Sequence, residues 1–113
     1  MFEYCLGFVF DSKIEHVLLL KKTRPAWQKD KYNGVGGKIE EGEAPLAAMV
    51  RECREETGLV IERWTLFCLL NDSAGEKIHC FYSITDEIFK ATAKTEEVVT
   101  FTKLEPLLFM MGK

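Results

Sequence analysis

Residues 45–57 restrict most strongly what this chain can become, because they read as one amphipathic helix with three carboxylates on a single face. Pro45 suits the first helical position and Gly58 the residue just past the end. At about 100° per residue, Leu46, Val50, Cys53 and Thr57 gather on one side while Glu52, Glu55 and Glu56 gather on the other. Glu52 stands at i,i+3 to Glu55 and at i,i+4 to Glu56, spacings at which like charges cost an isolated helix roughly 0.2–0.5 kcal/mol per pair. Glu55 and Glu56 also fall in the last turn, where the helix dipole disfavours negative charge. Such a face is either solvated and relieved by Arg51 and Arg54, or built to hold a divalent cation. Hard oxygen donors clustered without His or Cys suit Mg²⁺, Mn²⁺ or Ca²⁺ better than zinc, and Mg²⁺ commonly completes its shell with water and substrate phosphates.

Just upstream, Asn33-Gly34-Val35-Gly36-Gly37-Lys38 offers backbone amides and carbonyls that side chains do not screen. Alone, this run reads as a bulged strand or a turn. Set before the carboxylate-bearing helix, it brings peptide groups to the same cations and phosphates. The combination implies phosphoanhydride chemistry.

At 113 residues the chain suits one small domain, which buries roughly two thirds of its unfolded surface. A hydrophobic fraction of 47% and a charged fraction of 29% are globular values, so disorder is not expected. The net charge of −3 argues against a duplex nucleic-acid binder, which needs a basic face, but not against a small anionic ligand. No apolar run approaches the 18 to 20 or so residues that span a bilayer, and no basic segment precedes the first apolar stretch, so neither membrane nor signal peptide is expected. Cys5, Cys53, Cys68 and Cys80 lie far apart among apolar neighbours and read as reduced core thiols, which points to the cytoplasm.

Along the chain, residues 2–10 and 16–20 read as an antiparallel hairpin around Asp11-Ser12-Lys13. Residues 21–32, with Pro25, Trp27 and several basic side chains, read as a long loop. After the helix, strands are expected over 60–70 and 78–85 around a turn at 71–76, then over 98–102, with 104–111 a short helix or apolar tail. Strands, helix and strands without β-α-β alternation give an α+β class with a mixed sheet.

Gly37, five residues, Glu43, seven residues, then Arg51-Glu52-Cys53-Arg54-Glu55-Glu56-Thr57-Gly58-Leu59 resembles the Nudix box G-x5-E-x7-R-E-U-x-E-E-x-G-U, where U is bulky and apolar. All seven fixed positions match, which chance gives on the order of 10⁻⁹ per starting point. Cys53 departs mildly from the apolar preference. The resemblance implies a single Nudix hydrolase domain over 1–113 with its box at 37–59, folded as an α/β/α sandwich around a mixed sheet. It implies Mg²⁺, with Mn²⁺ as a substitute, held by Glu52, Glu55 and Glu56 with a carbonyl from Gly36 or Gly37. A further carboxylate is expected from Glu97, with Glu96 beside it. Glu52, Arg51 and Glu56 form the expected catalytic set: Arg51 holds the carboxylates by an ion pair, Glu52 orients or deprotonates the attacking water, and Glu43 supports from behind. Lys38, Lys22 and Arg24, with Lys21, are the expected phosphate contacts.

Within that family, residues 32–43 are similar to the MutT-like branch that hydrolyses oxidised purine nucleoside triphosphates, in which an Asn at the position of Asn33 contacts the base. Asn33 also suits a plain Asn-Gly turn. Hydrolysis of ADP-ribose or of a dinucleoside polyphosphate, nucleotide binding without cleavage, and a calcium-stabilised structural domain are the alternatives. Two departures stand out. The second long C-terminal helix of the family is short or missing, and the apolar tail from Leu104 to Met111 would then favour a homodimer. Ala44 precedes Pro45 where a capping Ser or Thr is expected.

Overall fold

Alternation along the first strand sets the two sides of the sheet. In the computed structural model, which describes residues 2–23, 26, 31–94 and 98–103, strand β1 (Glu3–Phe10) buries Cys5, Gly7 and Val9 on one side and leaves Tyr4, Leu6, Phe8 and Phe10 half-buried on the other. It turns at Asp11, whose buried carboxylate accepts the N–H groups of Glu15 and His16 at 2.8 and 2.9 Å, into antiparallel β2 (His16–Lys21). The hairpin then splays. Into the gap runs the glycine-rich segment, with β3 (Tyr32–Asn33) pairing β2 and β4 (Val35–Lys38) pairing β1. Helix α1 (Pro45–Thr57) follows, then β5 (Thr65–Asn71) and β6 (Lys77–Ile84) as a hairpin, and β7 (Val98–Lys103). β6 lies parallel to β1 and antiparallel to β5, and β7 closes the far side of β2, so the sheet is mixed as expected.

The core forms where α1 lies on β1 and β4: Cys5, Val9, Leu18, Leu20, Val35, Ala48, Met49, Cys53 and Phe81 pack together there. The helix keeps the predicted bounds. Its C-terminus closes on Gly58 at φ 79, a left-handed position that suits glycine, with the Gly58 N–H donating to the Arg54 carbonyl. Its buried side keeps Cys53 and Thr57 from the one that periodicity selects but is rotated toward the acidic edge. Ala48, Met49, Cys53, Glu56 and Thr57 face inward, while Leu46 is 44% exposed. A glycine strand has peptide groups to offer a carboxylate and no side chains to push it away, so the helix turns part of its acidic edge toward the sheet.

Three further expectations are corrected. Residues 60–64 are not strand: Ile61 packs into the core, and its carbonyl accepts the Trp64 indole N–H at 2.8 Å. Asp86–Lys90 forms a 3-10 helix that the sequence reading missed. It is capped by the Thr85 hydroxyl and tied to the first turn by Asp86, which accepts both the N–H and the hydroxyl of Ser12 at 2.9 Å. β2 also extends to Lys21, into the stretch read as loop. The expected terminal helix or tail at 104–111, and the second helical layer with it, lie outside the described residues. Among the described residues no helix is long and apolar enough to cross a membrane.

Ala44 is the N-cap of α1, in extended conformation and with no side-chain cap. Glu43 does not replace one, because its Oε1 accepts the Glu40 N–H and Arg51 instead. Ala44→Ser is therefore expected to stabilise the fold by about 1 kcal/mol. A urea titration would show a higher midpoint at unchanged slope, and an unchanged midpoint would mean that the first-turn N–H groups are already satisfied.

Candidate active site

Arg51 organises the acidic edge of α1. Its Nε donates to Glu43 Oε2 at 2.8 Å and its Nη2 to Glu43 Oε1 at 3.0 Å, a two-point grip on one carboxylate. Nη2 also reaches the Lys38 carbonyl at 3.1 Å, which pins the guanidinium to the end of β4. Nη1 donates to Glu52 Oε1 at 2.9 Å and lies 3.3 Å from Glu55 Oε2. One cation thus stands among the acids that the sequence places together. The Glu43 hydrogen bonds, against a desolvation cost, raise the Arg51 pKa further above its ordinary value. The same bonds, with the Glu40 N–H, hold the Glu43 carboxyl below its usual range.

Glu52 lies over Gly37. A Cβ at that glycine would come within 2.7 Å of the Glu52 Cδ, so the missing side chain is what lets the carboxylate sit against the strand. Burial pushes the Glu52 carboxyl above its ordinary pKa, with Arg51 pulling in the opposite sense. Glu56 is only 9% exposed, and its Oε1 accepts the Gly36 N–H at 2.8 Å. Glu55 faces outward, with half of its side chain in solvent. The structure therefore gathers Arg51, Glu43, Glu52, Glu55, Glu56, Gly36 and Gly37 along the contact of α1 with β4.

Glu56, Gly36 and Gly37 also line a cavity of about 210 Å³ together with Asn33, Lys22, Tyr4, Leu6 and Ile78. Asn33 Oδ1 accepts the Gly34 N–H at 2.9 Å, the turn role expected of it, and this bond does not use its two amide donors. Lys38 is elsewhere. Its ammonium sits 3.6 Å from the centre of the Phe2 ring and borders a second cavity with Glu40, Glu41 and Glu43. Arg24, Glu96 and Glu97 lie outside the described residues. The sequence reading missed Tyr4, Leu6 and Ile78; alternation along β1 marks Tyr4 and Leu6 as one face but does not say that a cavity opens there.

The donor chemistry of this site suits a hard cation, since carboxylates and peptide carbonyls supply oxygen only. In this conformation no three metal-ligating side chains converge on a point among the described residues. Glu52 and Glu55 share Arg51, while Glu56 turns to Gly36. The thiols do not compete: burial pushes Cys5 and Cys53 up to about 11, so both stay protonated near neutrality.

A model of the NUDIX domain matches residues 5–109. The 8-oxo-dGTP diphosphatase of Escherichia coli (strain K12) is 37% identical over 65 residues, which are 58% of this chain and 50% of that protein. The match thus spans about half the length of that curated relative. Among solved structures, MutT, studied from Aliivibrio salmonicida and Vibrio cholerae, shares the fold with a TM-score of 0.78 at 19% identity, over 96% of this chain and 82% of that one. The NUDIX domain of Shewanella oneidensis NrtR, complexed with ADP ribose, gives 0.76 at 18% identity, over 95% and 75% of the two chains.

Proposed function

This chain belongs to the NUDIX domain family, and from that footing we propose that it is a Mg²⁺-dependent pyrophosphohydrolase converting a nucleoside triphosphate to the monophosphate and pyrophosphate, with an oxidised purine deoxynucleotide as preferred substrate. One observation carries the reading: a single cavity is lined both by Asn33, whose amide donors suit a purine edge, and by Gly36, Gly37 and Glu56, which belong to the carboxylate site. At about 210 Å³ the cavity is smaller than the 300–1,000 Å³ of sites that enclose a drug-sized ligand, so it suits a base and leaves the phosphates to run out toward α1. The curated relative, an 8-oxo-dGTP diphosphatase, supports the same choice of substrate.

Glu52, Glu55 and Glu56, with a carbonyl from Gly36 or Gly37, would hold the cation, and Glu97 is retained as a proposed further ligand. When bound, a divalent cation neutralises phosphate charge and lowers the pKa of water. Arg51 acts as a positioning residue, fixing Glu52 through Oε1 and leaving Oε2 to accept a proton from the attacking water. Lys22, on the cavity wall, is the described cation best placed to meet a phosphate.

Incubation with Mg²⁺ and, separately, 8-oxo-dGTP, dGTP, ATP, ADP-ribose and a dinucleoside polyphosphate, with products separated by ion-exchange chromatography, tests the reading. Monophosphate and pyrophosphate are expected, with the highest kcat/KM for the oxidised purine. Preferential cleavage of ADP-ribose to AMP and ribose 5-phosphate would replace it with that alternative, and an absence of products would leave a binding domain.

A further inference from the structure

Cys68 on β5 and Cys80 on β6 are directly opposed partners in the antiparallel hairpin, remote from the helix that carries the carboxylates. Opposed residues in such a pair project to the same side of the sheet, with Cα atoms about 4.5–5.5 Å apart. That separation falls inside the roughly 4.4–6.8 Å that a disulfide bridges. We propose that Cys68 and Cys80 form a reversible cross-strand disulfide, a redox modification site on the β5–β6 hairpin.

The two thiols differ in access. Cys68 is half-buried and reachable, whereas Cys80 is buried behind it. They are in contact: burial raises the Cys80 pKa first, and the Cys68 thiol beside it adds to the shift. Neither has another intramolecular choice among the described cysteines. Cys5 and Cys53 belong to the core under α1, while Cys80 aligns with Leu6 on the opposite side of β1. β5 is the end strand of the sheet and carries a register shift between Leu66 and Cys68, so it can give by the roughly 1 Å that bond formation asks of opposed Cβ atoms.

The chemistry balances with a low-molecular-weight disulfide such as oxidised glutathione as oxidant. The Cys68 thiolate attacks one sulfur of that disulfide and forms a mixed disulfide, expelling one thiolate that takes up a proton. Cys80 then loses its proton and attacks the Cys68 sulfur, expelling the second small thiol. Two protein thiols are oxidised while one small disulfide is reduced to two thiols. The bond ties the edge strand to the strand that carries Ile78, a wall of the nucleotide cavity.

The test is peptide mapping by mass spectrometry, without reductant, of the full chain incubated with oxidised glutathione and sampled over time. The expected result is transient glutathionylation of Cys68 that decays as a Cys68–Cys80 linked peptide accumulates, with complete reversal by dithiothreitol. Cys80→Ser should trap one glutathionyl group on Cys68, and Cys68→Ser should leave Cys80 unmodified. A native chain that holds a stable adduct on Cys68, links two copies through it, or does not react there would overturn the proposal, whether or not the serine variants fold.

Discussion

Replacing Glu56 with Gln is expected to cut metal-dependent turnover about 100-fold or more while leaving the fold standing. The carboxamide keeps an oxygen to accept the Gly36 N–H, so the contact between α1 and β4 survives. What disappears is a negative charge that is 9% exposed and lies one turn beyond Glu52 on α1. Gln has nearly the shape and volume of Glu, so the packing of α1 on β4 is kept and the chain should still unfold cooperatively. Residues that merely support metal ligands typically cost 10–100-fold when changed, and a direct ligand belongs at or beyond the top of that range. Paired measurement of kcat and thermal midpoint checks both halves. Near-wild-type turnover in Glu56→Gln would remove Glu56 from the metal site.

Arg51→Lys should lower both stability and activity, although the charge is conserved. The guanidinium grips both oxygens of Glu43 while it donates to Glu52 and to the Lys38 carbonyl, and a single ammonium cannot reproduce that fan of donors. A stability loss of roughly 1–2 kcal/mol is expected, discounted for the partial exposure of the group, together with a 10–100-fold loss of kcat as Glu52 and Glu55 lose their common anchor. The pH dependence carries a sign. Because Arg51 holds the Glu43 carboxyl below its ordinary value of 4.5, the pairing contributes fully above that value and fades as pH falls through the depressed folded value. The stability gap between wild type and Arg51→Lys should therefore be widest near neutrality and narrow below about pH 4. A gap that widens in acid would show that Glu43 is not the partner that matters.

The limits of sequence reading here are physical. Pro45 and Gly58 act through their own backbone, so the bounds of α1 were legible, and so was the acidic triplet with its arginine. That the inward side of α1 turns far enough to bury Glu56 was not. Hydrophobic periodicity treats glutamate as solvent-facing, and nothing local reveals that the opposing strand is glycine with a Gly36 N–H to spare. The splayed first hairpin was hidden for a similar reason: β3 and β4 enter between β1 and β2 through pairings set by distant residues. Residues 60–64 misled because apolar content was read as strand, when Ile61 is a core plug and Trp64 caps its carbonyl. The cavity joins side chains from β1, β3, α1 and β6 with the glycine backbone of β4, and only the register of β1 against β6 puts Tyr4 beside Ile78.

The most direct test of a cation-dependent hydrolase is pyrophosphate release from a nucleoside triphosphate by the wild-type chain as Mg²⁺ is supplied, chelated with EDTA and restored. Release that rises with Mg²⁺, stops with EDTA and returns on readdition is the expected result. Release that continues undiminished in EDTA would contradict a metal role for Glu52, Glu55 and Glu56.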